Sequence, residues 1–144
     1  MKFERILVPI DFSDQSRAAL RAADELAQSY GATLTLLHVH GIAGVTVLDF
    51  TYVERPQDIA AMTDAAERQL HSWAAELGTD KGAITIDVVT GDPVTEIVRA
   101  SETHDLVVMS THGRTGLTRL LIGSVAERVV RGAHGSVLVV RPKH

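Results

Sequence analysis

The chain has 144 residues, 45% of them hydrophobic and 22% charged, with a formal charge of -4 and no cysteine. This length and apolar content suit one globular domain over residues 1–144 with a full core, while the acidic balance gives no basic footprint for nucleic acid or an anionic membrane. Disulfide and thiolate chemistry are excluded, and the apolar run at residues 6–10 is too short for a signal peptide or a membrane span, so a cytoplasmic location is expected.

Apolar strand-like runs alternate with helical ones, the pattern of a parallel sheet covered by helices. Residues 5–10 form the first strand. Ser13 caps a helix to Tyr30 with an apolar stripe at Ala19, Leu20, Ala23, Leu26, Ala27 and Tyr30, and Gly31 ends it. Residues 33–39 form the second strand, and a motif-free loop over 41–55, carrying Phe50 and Tyr52, leads to a helix over 56–77 stopped by Gly78. Trp73 and Met62 on that helix are expected in the core or at an interface. The third strand covers 83–89. Asp92 caps and Pro93 opens a short helix to Glu102. The fourth strand covers 106–110, the last helix 125–132 and the fifth strand 136–140. No internal repeat or low-complexity stretch is present.

The most informative segment follows the fourth strand: Ser110-Thr-His-Gly-Arg-Thr-Gly-Leu-Thr-Arg-Leu-Leu-Ile-Gly-Ser124. Gly113, Gly116 and Gly123 are able to take positive φ or admit a ligand close to the backbone, and Ser110, Thr111, Thr115 and Ser124 bring hydroxyls. The following helix offers free N–H groups and the positive end of its dipole to an anion. In doubly wound sheets ligands sit beyond the carboxyl ends of the strands where the strand order reverses. The first strand ends there in Pro9-Ile-Asp-Phe-Ser13, so Asp11 faces the glycine loop across a cleft if strands one and four are neighbours.

These residues resemble the universal stress protein family. Ile6-Leu-Val-Pro-Ile-Asp-Phe-Ser13 matches its first strand and turn, Gly113 followed by nine residues and Gly123-Ser124 matches the end of its G-x-x-G-x9-G-[ST] pattern, and Ser136-Val-Leu-Val-Val-Arg141 looks like its closing strand. The resemblance implies an α/β, Rossmann-like fold of the adenine nucleotide α-hydrolase type: five parallel strands in the order 3-2-1-4-5 with four helices. It implies an ATP-binding regulator or sensor of the stress response. Pro9, Ile10, Asp11 and Val39 would line the adenine side, Met109, Ser110, His112 and Gly113 would flank the ribose and α-phosphate, and Gly123, Ser124, Val125 and Ala126 would meet the distal phosphates. Mg2+ or Mn2+ would be held by those phosphates. The resemblance also implies a homodimer formed through the C-terminal edge strand. One departure is Ser110 at the family's first glycine, where a Cβ costs about 1 kcal/mol if positive φ is required, or crowds the ligand.

Several residues carry a second, plainer reading. Asp11 either contacts ligand or bonds its own loop; His112 is either a ligand contact or a surface residue. Arg114 is expected at phosphate and Arg119 in solvent. His38 and His40 share a strand face, yet no cysteine or placed carboxylate completes a metal site. Catalysis is not expected, because there is no G-x-x-x-x-G-K-[ST] loop and Asp11 lies on the base side, away from a γ-phosphate. An adenylate-transferring or pyrophosphatase-like enzyme would carry a Gly-rich turn after the first strand, which Pro9-Ile-Asp-Phe-Ser13 lacks. The alternative from another class is a dimeric stress-response module that binds no nucleotide, with Ser110 as its mark.

Overall fold

The computed structural model describes residues 1–41, 45–47, 50–52, 56–112 and 122–142. Five parallel strands form the main sheet: β1 (Arg5–Pro9), β2 (Thr33–His40), β5 (Ile84–Thr90), β6 (Leu106–Ser110) and β7 (Ser136–Val140). Their spatial order is β5-β2-β1-β6-β7, the expected 3-2-1-4-5. Four helices cover the sheet: α1 (Asp14–Tyr30), α2 (Pro56–Ala75), α3 (Pro93–Ser101) and α4 (Ser124–Gly132).

Side chains alternate across the strands and so divide the core in two. Ile6, Val8, Leu34, Leu36, Leu106 and Val108 face α1 and α2, packing on Ala19, Leu20, Ala23, Leu70 and Trp73. Leu7, Leu37, Val107 and Met109 face α3 and α4, packing on Val94, Ile97, Ala126 and Val129. Ile6, Leu7 and Val8 are all fully buried, as a central parallel strand covered on both faces requires. Each such side chain contributes about 1.5–3 kcal/mol of transfer free energy.

Caps fix the helix ends. Ser13 Oγ accepts the Ser16 N–H at 3.1 Å, and Gly31 takes the left-handed conformation at φ 66 that closes α1. Asp92 accepts the Thr95 N–H at 3.0 Å, with Pro93 in the first turn of α3. Below the sheet, Asp24 on α1 accepts from Gly78 N, Thr79 N and Thr79 Oγ. Burial pushes its carboxyl up, but the Thr79 hydroxyl, the two amides and nearby Lys81 outweigh that and hold it below 3.8.

Four sequence expectations are corrected. The 41–55 segment is not all loop: β3 (Val45–Val47) and β4 (Phe50–Tyr52) pair antiparallel, Val45 opposite Tyr52 and Val47 opposite Phe50. α2 ends at Ala75 rather than residue 77, because Glu76 and Leu77 N–H groups bond Trp73 and Ala74 in tighter turns. α4 begins at Ser124, since Gly123 already serves as its cap. Trp73 is buried in the core, whereas Met62, expected in the core or at an interface, is 44% exposed on α2, which overturns the core placement alone.

Candidate functional site

β1 ends where its chain must turn upward into α1, and three contacts hold that turn. Ile10 N–H donates to Leu37 O at 2.8 Å, and Ile10 O accepts from His38 Nδ1 at 2.7 Å. Asp11 accepts from Ser13 N–H at 3.0 Å and from the Ser13 hydroxyl. The plainer reading of Asp11, bonding its own loop, is therefore true, and the same residue also borders the cleft described below. Between them Phe12 sits at φ 64, the one described non-glycine residue with positive φ. An L-residue with a Cβ loses about 1–2 kcal/mol there.

The second wall is built where β6 passes into α4. Ser110 Oγ donates to His112 O at 2.8 Å, Thr111 N–H donates to Val140 O at 3.2 Å, and Gly123 N–H donates to Thr111 O at 2.7 Å. Ser110 does not have positive φ, so its Cβ brings no backbone strain at the family's glycine position. Gly123 is also unlike the expectation: φ is -62, and the reason for glycine is that a Cβ would lie 2.8 Å from the Thr111 carbonyl oxygen. This close approach is backbone to backbone. The N–H groups of Ser124, Val125 and Ala126 lie in the first turn of α4 and have no intrahelical acceptor, and Gly123 brings no side chain to cap them. They carry the positive end of the helix dipole.

Between these walls lies a cleft of about 260 Å³ at the carboxyl ends of β1, β2 and β6. Pro9, Ile10 and Asp11 border it from the end of β1 and the turn after it, Val39 from β2, Met109, Ser110 and His112 from the end of β6 and just beyond, and Gly123, Ser124, Val125 and Ala126 from the cap and first turn of α4. Eleven of the thirteen expected site residues thus meet in one place. Gly113 and Arg114 lie outside the described residues, as do Thr115, Gly116 and Arg119. The sequence reading missed Ser16, Leu37, Pro93 and Ile97, and counted Thr111 only as a hydroxyl. Pro93 was visible as a helix opener at the same sheet end, the signal that could have placed α3 beside the cleft.

The chemistry of the two sides differs. The β1–β2 pairing ends at Pro9 opposite Leu37, and backbone groups alternate sides along a strand, so those of Val39 are the next to turn toward the space β1 has vacated. That wall offers strand backbone, the Asp11 carboxylate and apolar Ile97 and Met109. The opposite wall offers helix amides. His112 stands between them: Nδ1 lies 3.1 Å from Thr111 Oγ1, while Nε2 is buried and has no hydrogen-bond partner among the described residues. A buried ring nitrogen without a partner is costly and calls for a polar ligand atom. His38 instead packs on Phe12 on the other face of the sheet. Among the described residues no group of three or more His, Asp or Glu side chains could hold a metal ion, and no helix is long and apolar enough to cross a membrane.

Comparison with known proteins agrees with this architecture. A model of the universal stress protein family matches residues 2–141. A universal stress protein of Methanocaldococcus jannaschii, MJ0531, is 33% identical over 143 residues, covering 96% of this chain and 82% of that one. The solved structure of universal stress protein UspA from Lactobacillus plantarum superimposes with a TM-score of 0.77 at 26% identity, covering 98% of this chain and 99% of that one. A universal stress protein solved in complex with cAMP superimposes with a TM-score of 0.71 at 25% identity, covering 99% and 100%. The chain belongs to the universal stress protein family.

Proposed function

We propose that this protein binds an adenine nucleotide, ATP foremost, in the cleft between the β1–α1 turn and the start of α4, and acts as a nucleotide-dependent regulator of the stress response with little or no hydrolysis. The observation that carries the reading is the buried Nε2 of His112, unpartnered among the described residues, bordering the same cleft as the uncapped amides of α4. A phosphate satisfies both at once, each amide contact being worth about 1.5–3 kcal/mol as a charge-assisted bond. On the other side, Val39 backbone groups suit the hydrogen-bonding edge of a base, and Asp11 suits a ribose hydroxyl. The relative solved with cAMP supports an adenine nucleotide as the ligand class. Mg2+ or Mn2+ would travel on the phosphates, with no protein ligand set required.

The active unit in this reading is a homodimer joined along β7, the outermost strand beside β6. Ser136 N–H donates to Asp105 O and Val140 O accepts from Thr111 N–H, so residues 136, 138 and 140 turn their backbone groups inward. Those of Val137 and Val139 point away from the sheet, and Leu138 is 40% exposed. Such an edge is a template for a second strand.

Calorimetry on the purified protein with ATP, cAMP and inorganic triphosphate, together with mass spectrometry of acid-extracted ligand, tests the reading. Micromolar to millimolar ATP binding is expected. A protein that carries no nucleotide and gives no heat with any of the three is the dimeric module without ligand.

A further inference from the structure

Phe12 is the residue that the nucleotide reading leaves unexplained. It holds a left-handed conformation at φ 64 in the turn next to Asp11, yet does not border the cleft. Its ring turns to the opposite face of the sheet, where it lies 4.7 Å from the His38 ring and 5.5 Å from Trp73 at 84°. Trp73 is the only tryptophan of the chain and is 7% exposed. Its outer side is covered by Arg17, whose guanidinium lies 4.1 Å over the ring and 2.9 Å from Glu76. A continuous row of contacts therefore runs from the cleft wall to a charged groove between α1 and α2, lined among others by Arg17, Arg21, Glu25 and Glu76.

We propose that Phe12 couples the occupancy of the cleft to this outer groove. The left-handed turn is held by the Asp11 carboxylate gripping the Ser13 amide and hydroxyl. A ligand hydroxyl that draws on the same carboxylate loosens that grip, and a bulky residue released from positive φ relaxes to an ordinary conformation. The Phe12 ring then leaves its place between His38 and Trp73, and Trp73 and Arg17 resettle. The Arg17–Glu76 pair, with side chains 32% and 64% exposed, changes with it, so the charge pattern on α1 and α2 differs between filled and empty protein. His38 acts through the turn as a positioning residue, since its Nδ1–H holds the Ile10 carbonyl.

The inference rests on nucleotide binding at the cleft, and the test separates the two. ATP is titrated into the wild-type protein by calorimetry and, in parallel, by Trp73 emission. Coupling predicts an emission change that follows the calorimetric isotherm, although Trp73 does not line the cleft and ATP cannot stack on it. Phe12→Leu is expected to bind ATP but to lose the emission change. Arg17→Ala, on the helix surface and suited to the test should Phe12→Leu fail to fold, is expected to shift ATP affinity by about fivefold or more, because coupling between two sites is reciprocal. Heat from ATP with unchanged Trp73 emission in the wild type overturns the coupling and leaves nucleotide binding standing. So does Phe12→Leu with a full emission response, or Arg17→Ala with unaltered affinity. No heat from ATP overturns both.

Discussion

At Gly123 a hydrogen in place of a side chain lets two backbone segments cross. Adding a side chain there collides first with the Thr111 carbonyl, at 2.8 Å, so Gly123→Val acts on the fold as well as on the ligand. Overpacking of this kind costs about 1–3 kcal/mol; differential scanning should show a Tm several degrees lower, and calorimetry a loss of ATP binding. Asp11→Ala is expected to weaken ATP by about tenfold, the worth of one hydrogen bond of about 1–2 kcal/mol, and to leave inorganic triphosphate binding unchanged. An equal loss for both ligands would place Asp11 at the phosphates instead. Ser110→Gly removes the hydroxyl that fastens the strand end to the His112 carbonyl, and with no positive φ to relieve it should lower Tm without improving ATP affinity more than severalfold. Clear binding by Ser110→Gly where the wild type gives none would show that the serine closes the cleft.

Among the elements, the five main strands and four helices were legible because each carries its own local signal: buried apolar runs such as Ile6-Leu-Val8, Ser13 and Asp92 as caps, Gly31 as a stop. The β3–β4 pair was not, since three-residue strands joined through Leu48-Asp49 lack the Asn-Gly or Asp-Gly signal of a tight hairpin. Likewise the cleft residues on the β1–α1 turn and at the start of α4 were readable from motif, whereas Ile97 and Pro93 enter it only because α3 packs across the strand ends. No local pattern announces a tertiary neighbour. Three carboxylates are also held in their charged form by folding. Asp92 is held below 3.8 by the Thr95 amide and hydroxyl and by Arg128, Asp105 by the amides of Glu4 and Arg5 and by Arg5 and His104, and Asp24 as described. A carboxyl lowered on folding stabilises the folded state above its unfolded pKa, and that contribution fades as pH falls through it toward the folded value. Thermal melts should therefore show Tm declining from about pH 4 downward. Asp24→Asn should melt lower than wild type at neutral pH and decline less over the acid range; parallel curves would remove Asp24 as a contributor.

For the whole molecule the proposed assembly rests on the open edge at β7. Val139→Pro removes an N–H that points outward and leaves the ladder to β6 intact, so light scattering should show the mass halved with the circular dichroism of the fold retained. A monomeric wild type at micromolar concentration would refute the dimer. Hydrolysis should stay far below a typical enzymatic turnover of about 10 per second, and steady phosphate release near that rate would show a catalytic site. The two ends of the sheet, meanwhile, are built for different lives. At the end away from the cleft Asp105 alone joins three strands: its carboxylate takes the amides of Glu4 and Arg5, its N–H donates to Arg5 O, and its carbonyl takes the Ser136 amide. The sheet is thus bound at this end like the spine of a book. Hydrogen exchange should find the Arg5, Asp105 and Ser136 amides opening only with global unfolding, while those of Thr111 and Gly123 open at a fraction of that free energy. On that prediction the strand ends that face the cleft can move, and diverge, without unstitching the rest.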